Sequence, residues 1–462
     1  MRTIGIDLAI THSHYAVIVD ESGQYIGRVV RFETDPADLE DLLRRARAGA
    51  ADDEPLQVIM EPTGLSWFPV ASYFVQRGIT VYLVNSQRVA DLRKHYRKYA
   101  KSDRISARVL VRLPWTDPDA LHPLHLASAE QLSGQRWCKQ QEELAQLITG
   151  AQNRVQAWER AYWPGLEQAV GDLFAPWLQV WREEWYDPWR LLQVETRRLA
   201  AYLIAAGADP LAAETVAAAL QEVARQAVAL FGTPDGQPSL YVDYAALQDQ
   251  VLRELRLLAI YQAEQQAVQR QVRSLYRRLH PSRALESLRG VGQDGAAVYL
   301  FFVGDVERFT DQKAFRGWSG LVPASDQSGG AEKKGLSITA AGPDLIKKYA
   351  YIDAEVARQW DPQIAAIYYD QMVNKGKHHN QAVCCCATHL LDRIRVVLRE
   401  ERPYQLRNVD GQPITWQEGR TIILERYQVP EEVRQRSRQR TRRARRDQRA
   451  ERKQKRRSSP VQ

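Results

Sequence analysis

The feature that most restricts this chain is the order of strand and helix signals across about its first 110 residues. Thr3-Ile4-Gly5-Ile6-Asp7-Leu8-Ala9 and Tyr15-Ala16-Val17-Ile18-Val19 read as a hairpin, and Tyr25 to Phe32 continue it as a third strand after a turn at Gly23. The period then changes. Leu39, Leu42 and Leu43 suit one helix face, Leu56 to Met60 a short buried strand, Trp67 to Val75 a second helix, and Ile79 to Val84 another strand. Three meandering strands followed by alternating helix and strand are the pattern of an α/β domain of ribonuclease H type. In such a sheet the carboxyl ends of neighbouring strands face one crevice. Asp7 ends the first apolar strand, Glu61 directly follows Val58-Ile59-Met60, and Asp103 stands in Lys101-Ser102-Asp103-Arg104 at a helix start. Acids so placed can share divalent metal, because magnesium prefers hard carboxylate oxygens and can stabilise both the attacking and the leaving oxygen of a phosphoryl transfer. Any one of them alone would more often be a surface group or a helix cap.

From about residue 125 to 280 the chain is rich in Ala, Leu, Gln, Glu and Arg, which is helical territory. Leu247, Val251, Glu254, Leu258, Tyr261, Gln265, Val268, Val272, Leu275 and Leu279 step by four and three, as a coiled-coil seam does. The seam predicts either a helical partner or a fold-back onto its own domain. Trp177, Trp181, Trp185 and Trp189 step by four and read as an apolar helix stripe rather than a base-stacking platform. Leu285 to Val303, around Gly290-Val291-Gly292, resembles two apolar helices about a tight turn, a helix-hairpin-helix-like segment. Backbone N–H groups at Gly290 and Gly292 would face phosphate without reading sequence.

The length of 462 residues allows two or three domains. The net charge of +8 is uneven: Arg434 to Arg457 hold 14 basic and 2 acidic residues, a local +12, leaving −4 for the rest. Arg442, Arg443, Arg445 and Arg446 have few apolar neighbours with which to offset ordering entropy, so this tail is expected to be disordered alone and to take nucleic acid by counterion release. No apolar run reaches the ~18 residues of a membrane span and no signal peptide is evident, so the expectation is a cytoplasmic, nucleoid-associated protein without a membrane. Cys138, Cys384, Cys385 and Cys386 have neither disulfide nor zinc spacing and read as small buried apolar groups.

Gly5-Ile6-Asp7-Leu8-Ala9, Met60-Glu61-Pro62-Thr63-Gly64 and Lys101-Ser102-Asp103-Arg104 are followed in order by five further motifs. These are Leu288-Arg289-Gly290-Val291-Gly292, Gly304-Asp305-Val306-Glu307-Arg308-Phe309, Gly320-Leu321-Val322-Pro323, Ser328-Gly329-Gly330 and Gly376-Lys377-His378. With them the chain resembles the DEDD-type insertion-sequence transposases, the family that includes Piv-type DNA invertases and bridge-RNA-guided serine recombinases. The likeness covers about residues 1–160 and 245–400. It implies a RuvC-like (RNase H fold) metal-dependent domain over 1–122 and a helical, coiled-coil insertion and linker over 123–283. A mostly helical transposase domain over 284–400 would follow, then an extension over 401–433 and the tail over 434–462. It further implies Mg2+ (or Mn2+) held by Asp7, Glu61 and Asp103, and Ser328 as the nucleophile that forms a phosphoserine on DNA. The acidic site would be contributed by another subunit of a homodimer or homotetramer. Double-stranded DNA, donor and target, and a noncoding guide RNA are the implied partners. Lys333 and Lys334 would hold DNA phosphate or simply keep their loop solvated; Lys377 and His378 read as phosphate contacts or structural groups.

One departure matters. The family usually carries a fourth acid three residues after the third, and Ser106 occupies that place. A hydroxyl there removes a negative charge and leaves a weak neutral ligand, so one metal site should bind less tightly. The alternative to an active recombinase is therefore a nucleic-acid-binding derivative with weakened or lost cleavage. An actin-like ATPase, which also opens with a Gly-x-Asp strand and a hairpin, lacks its second glycine-rich phosphate loop here.

Overall fold

A computed structural model describes the chain except residues 52, 86–88, 90, 91, 93–102, 119, 120, 235, 236, 238–240, 323–326, 329, 330, 333–337, 340 and 440–462, and except the side chains of 103–105, 327, 328, 331 and 332. It divides into two compact units, Met1–Ala127 and Ser128–Gln462.

The first unit is built on five strands, β1 (Arg2–Asp7), β2 (His14–Val19), β3 (Val30–Phe32), β4 (Leu56–Met60) and β5 (Thr80–Leu83), in the order β3-β2-β1-β4-β5. β2 runs antiparallel to β1 and β3, while β4 and β5 run parallel to β1. The central strands are apolar on both faces because helices cover both. Ile4, Ile6, Val58 and Met60 pack with Leu39 and Leu42 of α1 (Pro36–Arg47) and with Val70 and Phe74 of α2 (Trp67–Val75). The opposite face meets α3 (Asp103–Leu110) through Val17 and Ala107, and through Ile59 and Leu110, and the short α4 (Leu113–Thr116) follows it. Each aliphatic side chain fully buried in this way stabilises the unit by roughly 1.5–3 kcal/mol. The third strand is shorter than Tyr25 to Phe32: Gly27 takes a left-handed φ of 73°, which breaks the ladder, and Tyr25 makes only an isolated bridge to Val19.

In the second unit α5 (Ala129–Tyr162) and α11 (Tyr244–Leu279) pair along their length. The seam positions are where the sequence puts them: Leu247, Val251, Leu258, Val268, Val272 and Leu275 are buried, and Glu254, Tyr261, Gln265 and Leu279 half-buried. The partner is the chain's own helix. The polar seam residue Glu254 accepts both guanidinium hydrogen bonds of Arg154 on α5, at 2.9 and 2.8 Å.

Between the two long helices sits a module of α6 (Leu166–Val170), α7 (Pro176–Trp185), α8 (Pro188–Leu191), α9 (Thr196–Ala205) and α10 (Ala213–Phe231). The tryptophan stripe packs into this module's core, but not on one helix: α7 ends at Trp185, where Asp187 caps a new start at Pro188. Trp163 meets Trp181 edge-on at 4.9 Å, and beneath them Arg182 donates to both carboxylate oxygens of fully buried Glu159, at 2.7 and 2.8 Å.

The remaining core is helical, with α12 (Gln293–Val303), α13 (Gln312–Ser319), α14 (Asp344–Ala357), α15 (Pro362–Tyr369), α16 (His379–Glu400) and α17 (Trp416–Arg426). The element before the Gly290-Val291-Gly292 turn is a single 3-10 turn, Ala284–Ser287, not a full helix; Pro281 and a left-handed Arg283 stand just before it. The expected tail begins as helix, 431–439, and Arg442, Arg443, Arg445 and Arg446 lie outside the described residues. Cys138 and Cys386 are buried and Cys384 and Cys385 half-buried; burial raises the Cys138 thiol to about 12. Among the described residues no helix is long and apolar enough to cross a membrane.

Candidate active site

Asp7 is the last residue of β1, and Ile6 pairs with Met60 in the parallel ladder, so Glu61, the next residue after β4, stands beside Asp7 on the neighbouring strand end. Both are half-buried. Buried strands are registered by their side chains, because a slip of one residue would turn every one of them to the wrong face. The two acids are therefore locked side by side.

Gly5 decides how α3 approaches. A Cβ there would lie 2.6 Å from the Ala107 carbonyl oxygen and 2.7 Å from Val111 Cγ1, so helix backbone rests directly on strand backbone. Ala107 packs with Val17, opposite Gly5, while Trp115, further along the chain, comes near Gly23 at the far end of β2. The amino end of α3, where Asp103 begins the helix, is therefore directed toward the strand ends of Asp7 and Glu61; the Asp103 side chain lies outside the described residues. Ser106, one turn on, is buried at 3% exposure. A carboxylate at that position would sit in a half-apolar environment unless a cation met it.

The loop that follows Asp7 is tethered. His14 Nδ1 accepts from the Ala9 N–H at 3.1 Å and its Nε2 lies 2.7 Å from Thr34 Oγ1, with burial lowering the pKa of the ring. Two residues not expected from the sequence stand on the loops after Asp7 and Glu61: Ile10, 72% exposed, and Leu65, 82% exposed. A side chain at Gly64 would touch Ile10 Cδ1 at 3.6 Å, so the two loops lie against each other. An exposed aliphatic has no periodic signal that would reveal it. Carboxylate oxygens at adjacent strand ends are a donor set that fits a hard divalent cation. Among the described residues, which do not include the Asp103 side chain, no group of three His, Cys, Asp or Glu side chains comes together.

In the second unit Ser328 lies in a two-residue strand, Gln327–Ser328, paired with Ala331–Glu332 so that Ser328 opposes Ala331. Gly329, Gly330, Lys333 and Lys334, like the Ser328 side chain, lie outside the described residues. Gly290 has φ 103°, and a Cβ on it would strike the Asp353 carbonyl oxygen at 2.3 Å, so its glycine is required by packing against α14. Gly292 precedes α12 with open space around it. His378 caps α16: its Nδ1 accepts from the Asn380 N–H at 3.1 Å, while Lys377 beside it is exposed. Below the glycine turn, Asp353 accepts from Tyr299 Oη at 2.7 Å, and burial raises its pKa to about 7.

Two family models match the chain. One, the DEDD-type transposase model of the IS110 group, covers residues 4–164, and the other, described as transposase IS116/IS110/IS902 family, covers residues 282–369. The chain is 26% identical over 326 residues to an insertion element IS110 uncharacterized 43.6 kDa protein of Streptomyces coelicolor, covering 70% of this chain and 76% of that relative. It is 28% identical over 177 residues to a putative transposase, y4uE, of Sinorhizobium fredii, covering 38% of this chain and 48% of that relative.

Proposed function

Because the chain belongs to the IS116/IS110/IS902 family of insertion-sequence transposases, enzymes that cut and rejoin DNA, we propose that it does so through a phosphoserine on Ser328, with Asp7, Glu61 and Asp103 as the acidic cluster, guided by a bridge-type noncoding RNA. The observation that carries the reading is the parallel register of Ile6 with Met60, which leaves Asp7 and Glu61 on adjacent strand ends. The strand order β3-β2-β1-β4-β5 is the one a RuvC-like domain would need. Asp7 and Glu61, with Asp103, would hold Mg2+ or Mn2+, which when bound neutralises charge on the phosphodiester oxygens. Ser328 Oγ forms the new bond to phosphorus as the bond from phosphorus to the departing sugar oxygen breaks, and the hydroxyl proton passes to that oxygen by way of solvent. Attack by a different sugar hydroxyl reverses the step, so bond energy is conserved and no ATP is needed. The acids of one subunit serve the serine of another in a homodimer or homotetramer. The Arg-rich tail supports the RNA partner, since 14 of its residues from Arg434 to Arg457 are basic.

A second reading is a nucleic-acid-binding derivative that no longer cuts, favoured by Ser106 in the place of the fourth acid. Magnesium-dependent strand exchange on donor and target DNA separates the two. Activity in the wild type, with none in Asp7→Asn or Glu61→Gln, is expected; a wild type that binds DNA but never cuts it, with Ser106→Asp restoring cutting, would establish the second reading instead. Recovery of a structured RNA with the purified protein tests the guide.

A further inference from the structure

The C-terminal extension builds a cavity that the proposed chemistry does not use. It has a volume of about 760 Å3 and lies where α15, the start of α16, α17 and the helical segment 431–439 converge. Most of its wall comes from beyond residue 369, where the second family model ends. Among the described residues four arginines line it, Arg358, Arg420, Arg434 and Arg438, and no carboxylate does.

Glu355, next to the cavity floor, is paired with Arg358 and His379. Glu355 accepts from Arg358 at 2.6 and 3.0 Å and lies 2.8 Å from His379 Nε2, while Tyr368 Oη is 2.8 Å from His379 Nδ1. Arg358 also lies 4.3 Å from the Tyr368 ring centre, which fixes the floor. The roof is fastened where the His379 N–H donates to Ser437 Oγ at 3.0 Å. Above this floor Arg434 makes no ion pair or side-chain hydrogen bond among the described residues, and Arg438 has only a loose pair with Glu431 at 3.6 Å, both largely exposed. An uncompensated guanidinium over a cavity without acids favours an anion.

The rest of the lining selects among anions. Tyr427 and Ile423 offer a flat and apolar wall, and Asn380 and Gln428 offer amide donors and acceptors. Aromatic and arginine surfaces together are how sequence-tolerant proteins hold unstacked bases. A volume within the roughly 300–1,000 Å3 of enclosing pockets suits one nucleotide, whereas a base pair inside a duplex could not enter. In sequence, segment 431–439 is followed directly by the Arg-rich stretch from Arg440 to Arg457, whose charge attracts the same polyanion.

We infer that this cavity is a binding site for an unpaired nucleotide of single-stranded nucleic acid, with flanking phosphates on Arg434 and Arg438 and the base against Tyr427. The site needs neither the acidic cluster nor Ser328. Binding is therefore measured on the full-length protein in EDTA, and failure here leaves the cutting reaction untouched, just as loss of cutting leaves this site untouched. The probes are fluorescein-labelled single-stranded RNA and DNA ten-mers and a duplex of the same sequence, read by anisotropy across a salt series. Arg434→Glu is expected to weaken single-strand binding tenfold or more and to flatten the salt slope by about 0.7 for each phosphate that is no longer neutralised. Arg434→Lys should recover most of it, and Arg253→Glu on the coiled coil should change nothing. The tighter of RNA and DNA identifies the strand. Photocrosslinking with 4-thiouridine or 5-iodouracil should mark the peptide that carries Tyr427. Unchanged affinity in both Arg434→Glu and Tyr427→Ala, or crosslinks confined to residues 440–462, would overturn the inference.

Discussion

Replacing Gly5 with alanine tests how the acidic cluster is assembled. Its φ is not the constraint; the space is. A methyl group at Gly5 would meet the Ala107 carbonyl oxygen at 2.6 Å, Val111 Cγ1 at 2.7 Å and Val111 N at 2.9 Å. The shortest of these falls about 0.8 Å short of the 3.4 Å where ordinary contact begins, and two of the three atoms are backbone and cannot rotate away. Either α3 lifts from the sheet by most of that distance or the strand yields. Overpacking of this kind costs about 1–3 kcal/mol, and a misplacement near 1 Å at a reacting centre costs about 10²-fold in rate. Since α3 begins at Asp103, Gly5→Ala should lower both the melting temperature and magnesium-dependent cutting, with cutting falling further than stability explains. Val111→Ala in the same chain removes only the Cγ1 contact and should not restore activity. Gly317→Ala, in a helix with nothing within 4 Å, is the control and should leave stability unchanged or raised by up to ~1 kcal/mol. Calorimetry beside a strand-cutting assay reads both effects. A Gly5→Ala protein that melts and cuts like the wild type would refute the argument that this close approach sets the acids.

The buried pair of Arg182 and Glu159 makes a second test: Arg182→Met leaves an unpaired carboxylate in the tryptophan core and should destabilise by about 3–5 kcal/mol, while Arg182→Met with Glu159→Leu should recover most of the loss, both read by urea unfolding. Gly134→Ala would place a methyl 2.5 Å from the Phe301 ring and should cost about 1–3 kcal/mol, again by unfolding. Asp353 gives a pH signature. Its folded pKa near 7 lies above the unfolded 3.8, so the native chain holds an extra proton between these values, and stability is greatest at the acid end and falls as pH rises toward 7. At 1.36 kcal/mol for each pH unit, the fall is at most about 4 kcal/mol, and it should be absent from Asp353→Asn when the two proteins are compared by melting across pH 4 to 8.

The pair Asp7 and Glu61 was legible because apolar strand runs announce both their length and their ends, and an acid immediately after such a run has one place to go. The coiled-coil seam was legible for the same reason, although seam spacing is identical for a foreign partner and for the chain's own helix, so that choice needed the fold. The third strand was overextended because alternation continues through Gly27 in sequence while its left-handed backbone ends the pairing in space. The tryptophan stripe kept its spacing across Pro188, where capping by Asp187 restarts the helix. Ser106 reads as a missing ligand, and only the packing of α3 reveals that the position is also deeply covered. Arg434 and Arg438 belong to the basic tail that the sequence announces, but the cavity itself had no sequence signal, since Arg358 and Arg420 join them only in the fold.

The central claim is that a serine of this chain becomes covalently joined to DNA under the control of the acidic cluster. The direct measurement is mass spectrometry of protease-digested protein after incubation with labelled donor and target DNA, Mg2+ and the copurified RNA. The account predicts a nucleotide-phosphate adduct on the peptide containing Ser328, absent from Ser328→Ala and from Asp7→Asn. An adduct that persists in Ser328→Ala, or cut DNA that never carries protein at any time point, would contradict it.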